Sequence, residues 1–132
     1  MSIFVDTSAL LAILDAGDSN HPPAKAAWER LVSQKDALVS TNYILVETSA
    51  LVQHRLGMAA VRTLHEDILP LISIEWMDAQ GHYTSVSALI VAGRKELSLV
   101  DCATFEAMRR LGISSVFAFD RHFREQGFEL IP

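Results

Sequence analysis

Residues 3–8 read IFVDTS, a short apolar run that ends in a carboxylate and two hydroxyl side chains. An apolar run of this length, closed by residues that favour helix N-caps, predicts a buried strand followed at once by a helix. Residues 116–120 read VFAFD and repeat the arrangement near the other end of the chain. We therefore expect Asp6 and Asp120 to follow two buried strands directly.

Short apolar runs alternate with amphipathic segments along the rest of the chain. Strands are predicted at residues 3–5, 37–39, 71–76, 115–119 and 128–131, and helices at residues 9–15, 21–33, 41–55, 58–69, 78–93, 98–111 and 120–126. This alternation predicts an α/β fold with a mainly parallel sheet that is covered on both faces. Such sheets bind ligands beyond the carboxyl ends of their strands, so Asp6 and Asp120 are expected to point into that crevice.

The bulk composition is that of an ordinary globular domain. With 132 residues, of which 50% are hydrophobic, we expect one domain over residues 1–132 with a substantial core. The net charge of −5 argues against a module that binds nucleic acid through a basic surface alone. It is compatible with a nuclease whose carboxylates are neutralised by metal ions.

Cys102 is the only cysteine, so no disulfide can form within the chain. It lies in an apolar helical stretch, which favours a small buried side chain over a nucleophile. The N-terminal segment does not resemble a signal peptide, because it lacks a basic region and Asp6 interrupts its apolar run. No stretch reaches the length of a membrane span. We therefore expect a reduced, cytoplasmic protein.

Four acidic residues are candidates for a common site: Asp6, Glu47, Asp101 and Asp120. Glu47 falls in the middle of a predicted helix, and its neighbours three and four positions away are apolar or aromatic. A buried carboxylate is costly unless it is paired or bound to a metal, and no Lys or Arg stands at those spacings. This pattern favours a functional role, although a Glu at the edge of the core that reaches solvent is the alternative.

The three aspartates each have a simpler explanation beside the functional one. Asp6 and Asp120 are also suited to cap the helices that follow them. Asp101 lies three residues after Ser98, as in a capping box, and on its own this explains the residue better than metal binding does. Clustered carboxylates nevertheless suit Mg²⁺, which prefers oxygen ligands. One or two such ions are sufficient for phosphodiester hydrolysis, without any His or Cys.

The segments that contain these acids resemble motifs of the PIN-domain family, and within it of the VapC-like toxins of bacterial and archaeal toxin–antitoxin pairs. The segments read FVDTSALL at residues 4–11, TNYILVE at 41–47, LSLVDC at 97–102 and FDRHF at 119–123, followed by Gly127-Phe128. No single motif is specific, but four in the right order cover nearly the whole chain. The resemblance implies a PIN-like three-layer α/β/α domain with a mainly parallel central sheet of four to five strands.

The resemblance also implies an activity, a cofactor and partners. It implies an endoribonuclease that hydrolyses RNA phosphodiesters with Mg²⁺ or Mn²⁺, and a homodimer that a cognate antitoxin protein holds inactive. By the same resemblance, Asp6, Glu47, Asp101 and Asp120 would be metal ligands or would orient the metal-bound water.

Two further positions bear on the resemblance. Ser8 would be an accessory hydrogen-bonding residue near Asp6. The family often has Ser or Thr two residues before the last acid, where this chain has Ala118. Because of that departure, the resemblance gives weaker support to a hydroxyl at this point. It also gives weaker support to the family's exact role for Asp120.

The sequence also offers candidate RNA contacts, and it leaves two alternative functions open. Arg121 and Arg124 are the basic residues nearest the acids in sequence, which makes them candidates for contacts to RNA phosphates. A structure-specific DNA nuclease on the same fold is one alternative. The short chain argues against it, because no residues are left over for an insertion that would hold DNA. In the other alternative, a non-catalytic PIN-like binding protein, the acids only cap helices and stabilise the fold.

Overall fold

Five strands form one parallel sheet in the computed structural model, which describes all 132 residues. The strands are β1 (Ser2–Val5), β2 (Ala37–Thr41), β3 (Ser73–Glu75), β4 (Ser115–Phe117) and β5 (Glu129–Ile131). Their spatial order is β3-β2-β1-β4-β5, and every neighbouring pair is parallel. The predicted fold class is therefore confirmed, with a sheet that is entirely parallel.

Seven α-helices accompany the strands. They are α1 (Thr7–Leu14), α2 (His21–Gln34), α3 (Asn42–Leu56), α4 (Met58–Thr63), α5 (Ala79–Ala92), α6 (Leu99–Leu111) and α7 (His122–Glu125). Their ends follow the expected cap signals. The Thr41 hydroxyl accepts a hydrogen bond from the Ile44 N–H at the start of α3, and Gly112 ends α6 in the left-handed conformation that glycine adopts without strain.

The direction in which the sheet grows reverses at β1. Strands β2 and β3 lie on one side of β1, whereas β4 and β5 lie on the other. Phe4 in β1 pairs with Val39 in β2 and with Val116 in β4. In open α/β sheets, the crevice at such a reversal is the usual place for a ligand, outside the carboxyl ends of the strands. A ligand site is therefore expected at the carboxyl ends of β1 and β4.

The core is a cluster of 24 buried hydrophobic residues. The two central strands contribute Phe4, Val5, Val116 and Phe117, all without exposed surface. Parallel strands that are buried on both faces consist of continuous apolar runs, which explains why neither run alternates with polar residues.

Several predicted elements are shorter in the structure than expected, and hydrogen bonding explains the differences in one helix and one strand. The helix predicted over residues 58–69 is α-helical only to Thr63 and continues as a π turn over Leu64–Ile68 and a 3₁₀ turn over Leu69–Leu71. Pro70 has no N–H to donate, so the α-helical ladder cannot pass through it.

The strand predicted over residues 115–119 ends earlier, at Phe117. The Phe119 N–H donates to the Ser8 hydroxyl and not to a neighbouring strand. Asp120 therefore follows β4 after a two-residue loop and not directly, and α7 is shorter than predicted.

None of the helices combines the length and the apolar character needed to cross a membrane. Cys102 is buried in α6, as expected. Burial of the thiol, together with the charge of Asp101, raises the pKa of Cys102. A raised pKa keeps the thiol protonated, which makes it a poor nucleophile.

Replacing Phe117 by Ala should lower the free energy of unfolding by about 3–5 kcal/mol, because its fully buried ring would leave a cavity in the sheet. Lys25 on α2 is exposed and makes no ion pair, so Lys25→Ala should change the same free energy by less than about 0.5 kcal/mol. Chemical denaturation followed by circular dichroism measures both values. Similar losses in the two variants would show that β4 is not a core strand.

Candidate metal centre

Asp6 lies at the carboxyl end of β1, where it is also the N-cap of α1. Its backbone N–H donates to the Phe117 carbonyl oxygen at 3.1 Å, so the residue still belongs to the contact between β1 and β4. Its Oδ2 atom accepts hydrogen bonds from the Ser8 N–H at 3.1 Å and from the Ser8 hydroxyl at 2.6 Å. These bonds hold the carboxylate in one orientation beside the crevice.

The Ser8 hydroxyl joins the two sides of that crevice. It donates to Asp6 and accepts a hydrogen bond from the Phe119 N–H at 3.0 Å. Because Phe119 precedes Asp120, this bond holds the loop after β4 beside the start of α1. Ala118 is buried and has no hydroxyl, so the loop is held to Asp6 through Ser8.

Asp101, Asp120 and His122 form a close group of three side chains. Asp101 lies in the first turn of α6, Asp120 in the loop before α7, and His122 at the start of α7. One carboxylate oxygen from each aspartate and one ring nitrogen of His122 lie within 4.8 Å of one another, and all three residues are half-buried. His122 was not among the residues predicted for the site, although it lies two residues after Asp120 in the sequence.

Asp101 also completes a capping box at the start of α6, as the sequence suggested. The Ser98 hydroxyl accepts a hydrogen bond from the Asp101 N–H, and Asp101 Oδ2 accepts one from the Ser98 N–H, both at 3.0 Å. Oδ1 of Asp101 makes no hydrogen bond within the chain. Capping and metal binding would therefore not compete for the same oxygen atom.

The three aspartates lie close enough for their charges to interact. The pKa of Asp6 is raised from 3.8 to about 6, and burial is the largest cause. The hydrogen bonds from Ser8 lower this pKa, and the charges of Asp101 and Asp120 raise it. No Lys or Arg forms an ion pair with any of the three. Carboxylate oxygens that repel one another and have no Lys or Arg partner fit a hard divalent cation.

Glu47 lies outside this group of ligand atoms. It is half-buried in the middle of α3, and its carboxylate makes no hydrogen bond or ion pair with the rest of the chain. It lines an open groove of about 350 Å³ together with Tyr43, His82 and Val100, the residue before Asp101. The structure thus places Glu47 beside the start of α6, next to the aspartates but not among them.

Arg121 and Arg124 are both exposed, one just before α7 and one within it. Neither forms an ion pair within the chain, so both guanidinium groups are accessible. Their contact with RNA remains a prediction.

The raised pKa of Asp6 predicts a pH-dependent difference in stability when metal is removed with EDTA. Because the folded-state pKa of about 6 exceeds the ordinary value of 3.8, the folded state binds more protons between these values. Ionisation of Asp6 therefore destabilises the fold as the pH rises through this window. Asp6→Asn should be more stable than the parent at pH 7, by up to ~3 kcal/mol, and the difference should be smallest at pH 4.

Thermal unfolding of both proteins at pH 4, 5.5 and 7 measures this difference. Asp67→Asn, which neutralises an exposed acid after α4, should show no such trend. A stability difference between Asp6→Asn and the parent that does not change with pH would refute the assignment of a raised pKa.

Comparison with known proteins agrees with these features. Residues 3–129 match the PIN domain family. The chain is 34% identical over 127 residues to VapC20, a 23S rRNA-specific endonuclease from Mycobacterium tuberculosis, and the match covers 96% of this chain and 95% of the relative. The crystal structure of VapC20, described as a sarcin-ricin loop cleaving toxin, superposes with a TM-score of 0.85 at 33% identity, covering 98% of this chain and 99% of that chain.

Two solved structures of much lower identity share the fold. FitAcB from Neisseria gonorrhoeae has a TM-score of 0.70 at 16% identity, covering 100% of this chain and 97% of that chain. VapBC2 from Rickettsia felis, bound to a DNA fragment from their promoter, has a TM-score of 0.72 at 11% identity, with coverage of 98% and 97%. The family match and the similarity to VapC20 span nearly the whole length and confirm the resemblance of the four motifs. The chain therefore belongs to the PIN-domain family.

Proposed function

We propose that the chain is a Mg²⁺- or Mn²⁺-dependent endoribonuclease that acts as the toxin of a toxin–antitoxin pair. The observation that carries this proposal is the convergence of Asp6, Asp101 and Asp120 at the crevice between β1 and β4. It occurs in a chain that is 34% identical to a 23S rRNA-specific endonuclease. Oxygen donors gathered without a protein cation are the ligands that Mg²⁺ and Mn²⁺ accept.

The three aspartates share one part in the proposed site, and Glu47 has another. Asp6, Asp101 and Asp120 would hold the divalent ion, and the bound ion would supply Lewis-acid chemistry towards the phosphodiester and the attacking water. Glu47 would bind the ion or orient the attacking water from the adjoining groove, since no group of the chain engages its carboxylate. Ser8 holds Asp6 beside the loop that carries Asp120, through its hydrogen bonds to Asp6 and to the Phe119 N–H.

We propose single-stranded or looped RNA as the substrate, because unstacked bases and a kinked backbone are accessible there and not in a duplex. Arg121 and Arg124 would contact the backbone phosphates beside Asp120, which offsets the repulsion expected from a net charge of −5. The relative VapC20 is named for 23S rRNA and its structure for the sarcin-ricin loop. A hairpin of that kind is therefore the first substrate to test.

We also propose two protein partners, a cognate antitoxin and a second copy of the chain. The antitoxin follows from the similarity to a toxin, and adding the cognate antitoxin should abolish RNA cleavage. The dimer is supported by exposed apolar side chains on α5, since Tyr83, Ile90 and Val91 are 68%, 72% and 88% exposed. Light scattering tests the dimer, and a monomer at micromolar concentration would rule it out.

The purified chain should cleave an RNA hairpin with the sarcin-ricin loop sequence in Mg²⁺ or Mn²⁺, and EDTA should stop the reaction. Asp101→Asn should slow cleavage by on the order of 100-fold or more, the scale of a preorganised electrostatic group. The asparagine side chain still accepts the Ser98 N–H, so the α6 cap is kept and the fold is preserved. Asp67→Asn should cleave at the parental rate.

The same assay separates the alternative functions. Equal rates for Asp101→Asn and the parent would remove the aspartates from the chemistry. Faster cleavage of a DNA hairpin of matched sequence would favour the DNA nuclease. If neither nucleic acid is cut and Mn²⁺ does not raise the melting temperature, the chain is a binding protein, because a ligand of the native state stabilises it by mass action.

A further inference from the structure

His122 is the side chain of the centre to which the proposed function gives no part. We propose that His122 supplies a nitrogen ligand to the divalent ion held by Asp101 and Asp120, and that the site consequently prefers Mn²⁺ to Mg²⁺. This inference rests on the proposed function, because it concerns the ion of the same site. It adds a residue to the acidic set and distinguishes between the two ions.

The distances in the group fit ligands of one ion. Donor atoms about 2.1 Å from an octahedral ion are about 3 Å apart when they are adjacent and about 4.2 Å apart when they are opposite. The donor atoms of Asp101, Asp120 and His122 all lie within 4.8 Å of one another. The His122 Nδ1 and Asp120 Oδ1 atoms are 3.0 Å apart, the separation of adjacent ligands.

The ring nitrogen of His122 is buried and has no hydrogen-bond partner. Its side chain is 21% exposed, and the Nδ1 atom itself is shielded from solvent. The short contact with Asp120 Oδ1 lacks the geometry of a hydrogen bond, so it does not satisfy the nitrogen. A buried polar atom without a partner is unfavourable, and coordination to a cation would satisfy it.

The backbone holds the imidazole beside Asp120. The His122 N–H donates to Asp120 Oδ1 at 2.9 Å, which ties the start of α7 to the carboxylate. The next residue, Phe123, is fully buried and packs edge-on against Phe105 of α6. Because α6 also carries Asp101, this packing fixes His122 relative to both aspartates. The ring is thus positioned before any ion binds.

An imidazole ligand changes which ion the site prefers. Mg²⁺ takes oxygen ligands and gives up its water reluctantly. First-row divalent ions accept nitrogen beside oxygen, with affinity that rises from Mn²⁺ to Co²⁺. The affinity of the full chain should therefore increase from Mg²⁺ to Mn²⁺ to Co²⁺. A site made of carboxylates alone would discriminate less.

Pulsed electron paramagnetic resonance of the Mn²⁺-loaded chain tests the ligand directly, because a coordinated imidazole gives a ¹⁴N hyperfine coupling. The parent should show this coupling, and His122→Ala should lose it while the aspartates still bind Mn²⁺. His54→Ala is the matched control, since it removes an exposed imidazole near the end of α3. That variant should keep the nitrogen coupling of the parent.

Titration of Mn²⁺ with Mg²⁺ as competitor tests the preference. His122→Ala should bind Mn²⁺ on the order of tenfold more weakly, with a change of about twofold or less for Mg²⁺. His122→Gln is the second variant in case His122→Ala does not fold, because its amide oxygen can take the place of the nitrogen. It should bind both ions without the nitrogen coupling.

The possible outcomes separate this inference from the proposed function. Mn²⁺ bound by the parent without nitrogen coupling, or an unchanged Mn²⁺-to-Mg²⁺ preference in both His122 variants, would overturn the inference alone. In that case His122 merely orients Asp120. A parent that binds neither ion and cleaves no RNA would overturn the proposed function as well.

Discussion

The candidate centre depends on the parallel pairing of β1 with β4. Val5 pairs with Phe117, and the Asp6 N–H extends the contact by donating to the Phe117 carbonyl. The two strands are far apart in sequence, and the sheet grows in opposite directions from them. Their carboxyl ends therefore open onto one crevice, which brings Asp6 together with the loop that carries Asp120. Without this pairing the acids would have no common location.

The centre carries a stability cost that the fold offsets elsewhere. Asp6 is 7% exposed and lies near two other carboxylates, so its ionised form is disfavoured in the absence of a cation. The apolar strands beneath it and the hydrogen bonds of Ser8 hold the carboxylate in place despite that cost. Strain of this kind is typical of functional sites, where a ligand supplies the missing counter-charge.

Much of this arrangement could be predicted from local sequence, and the remainder could not for a physical reason. The runs IFV and VFAF predict buried parallel strands, and parallel strands carry their sites at the carboxyl ends, which selects Asp6 and Asp120. The apolar residues around Glu47 predict that it lies on the core-facing side of its helix. They do not predict how α3 packs beside α6. The approach of His122 to Asp101 and the bond from Phe119 to Ser8 join residues through tertiary packing. Neither spacing nor periodicity determines such contacts.

The central claim is that three aspartates from distant segments hold one divalent cation. Anomalous diffraction from crystals of the full chain grown with Mn²⁺ tests it most directly, since the ion is located without reference to activity. The account predicts one strong peak among the carboxylates of Asp6, Asp101 and Asp120, and no peak there in Asp101→Asn crystals. A peak only at another surface, or none at Mn²⁺ concentrations that support RNA cleavage, would contradict it.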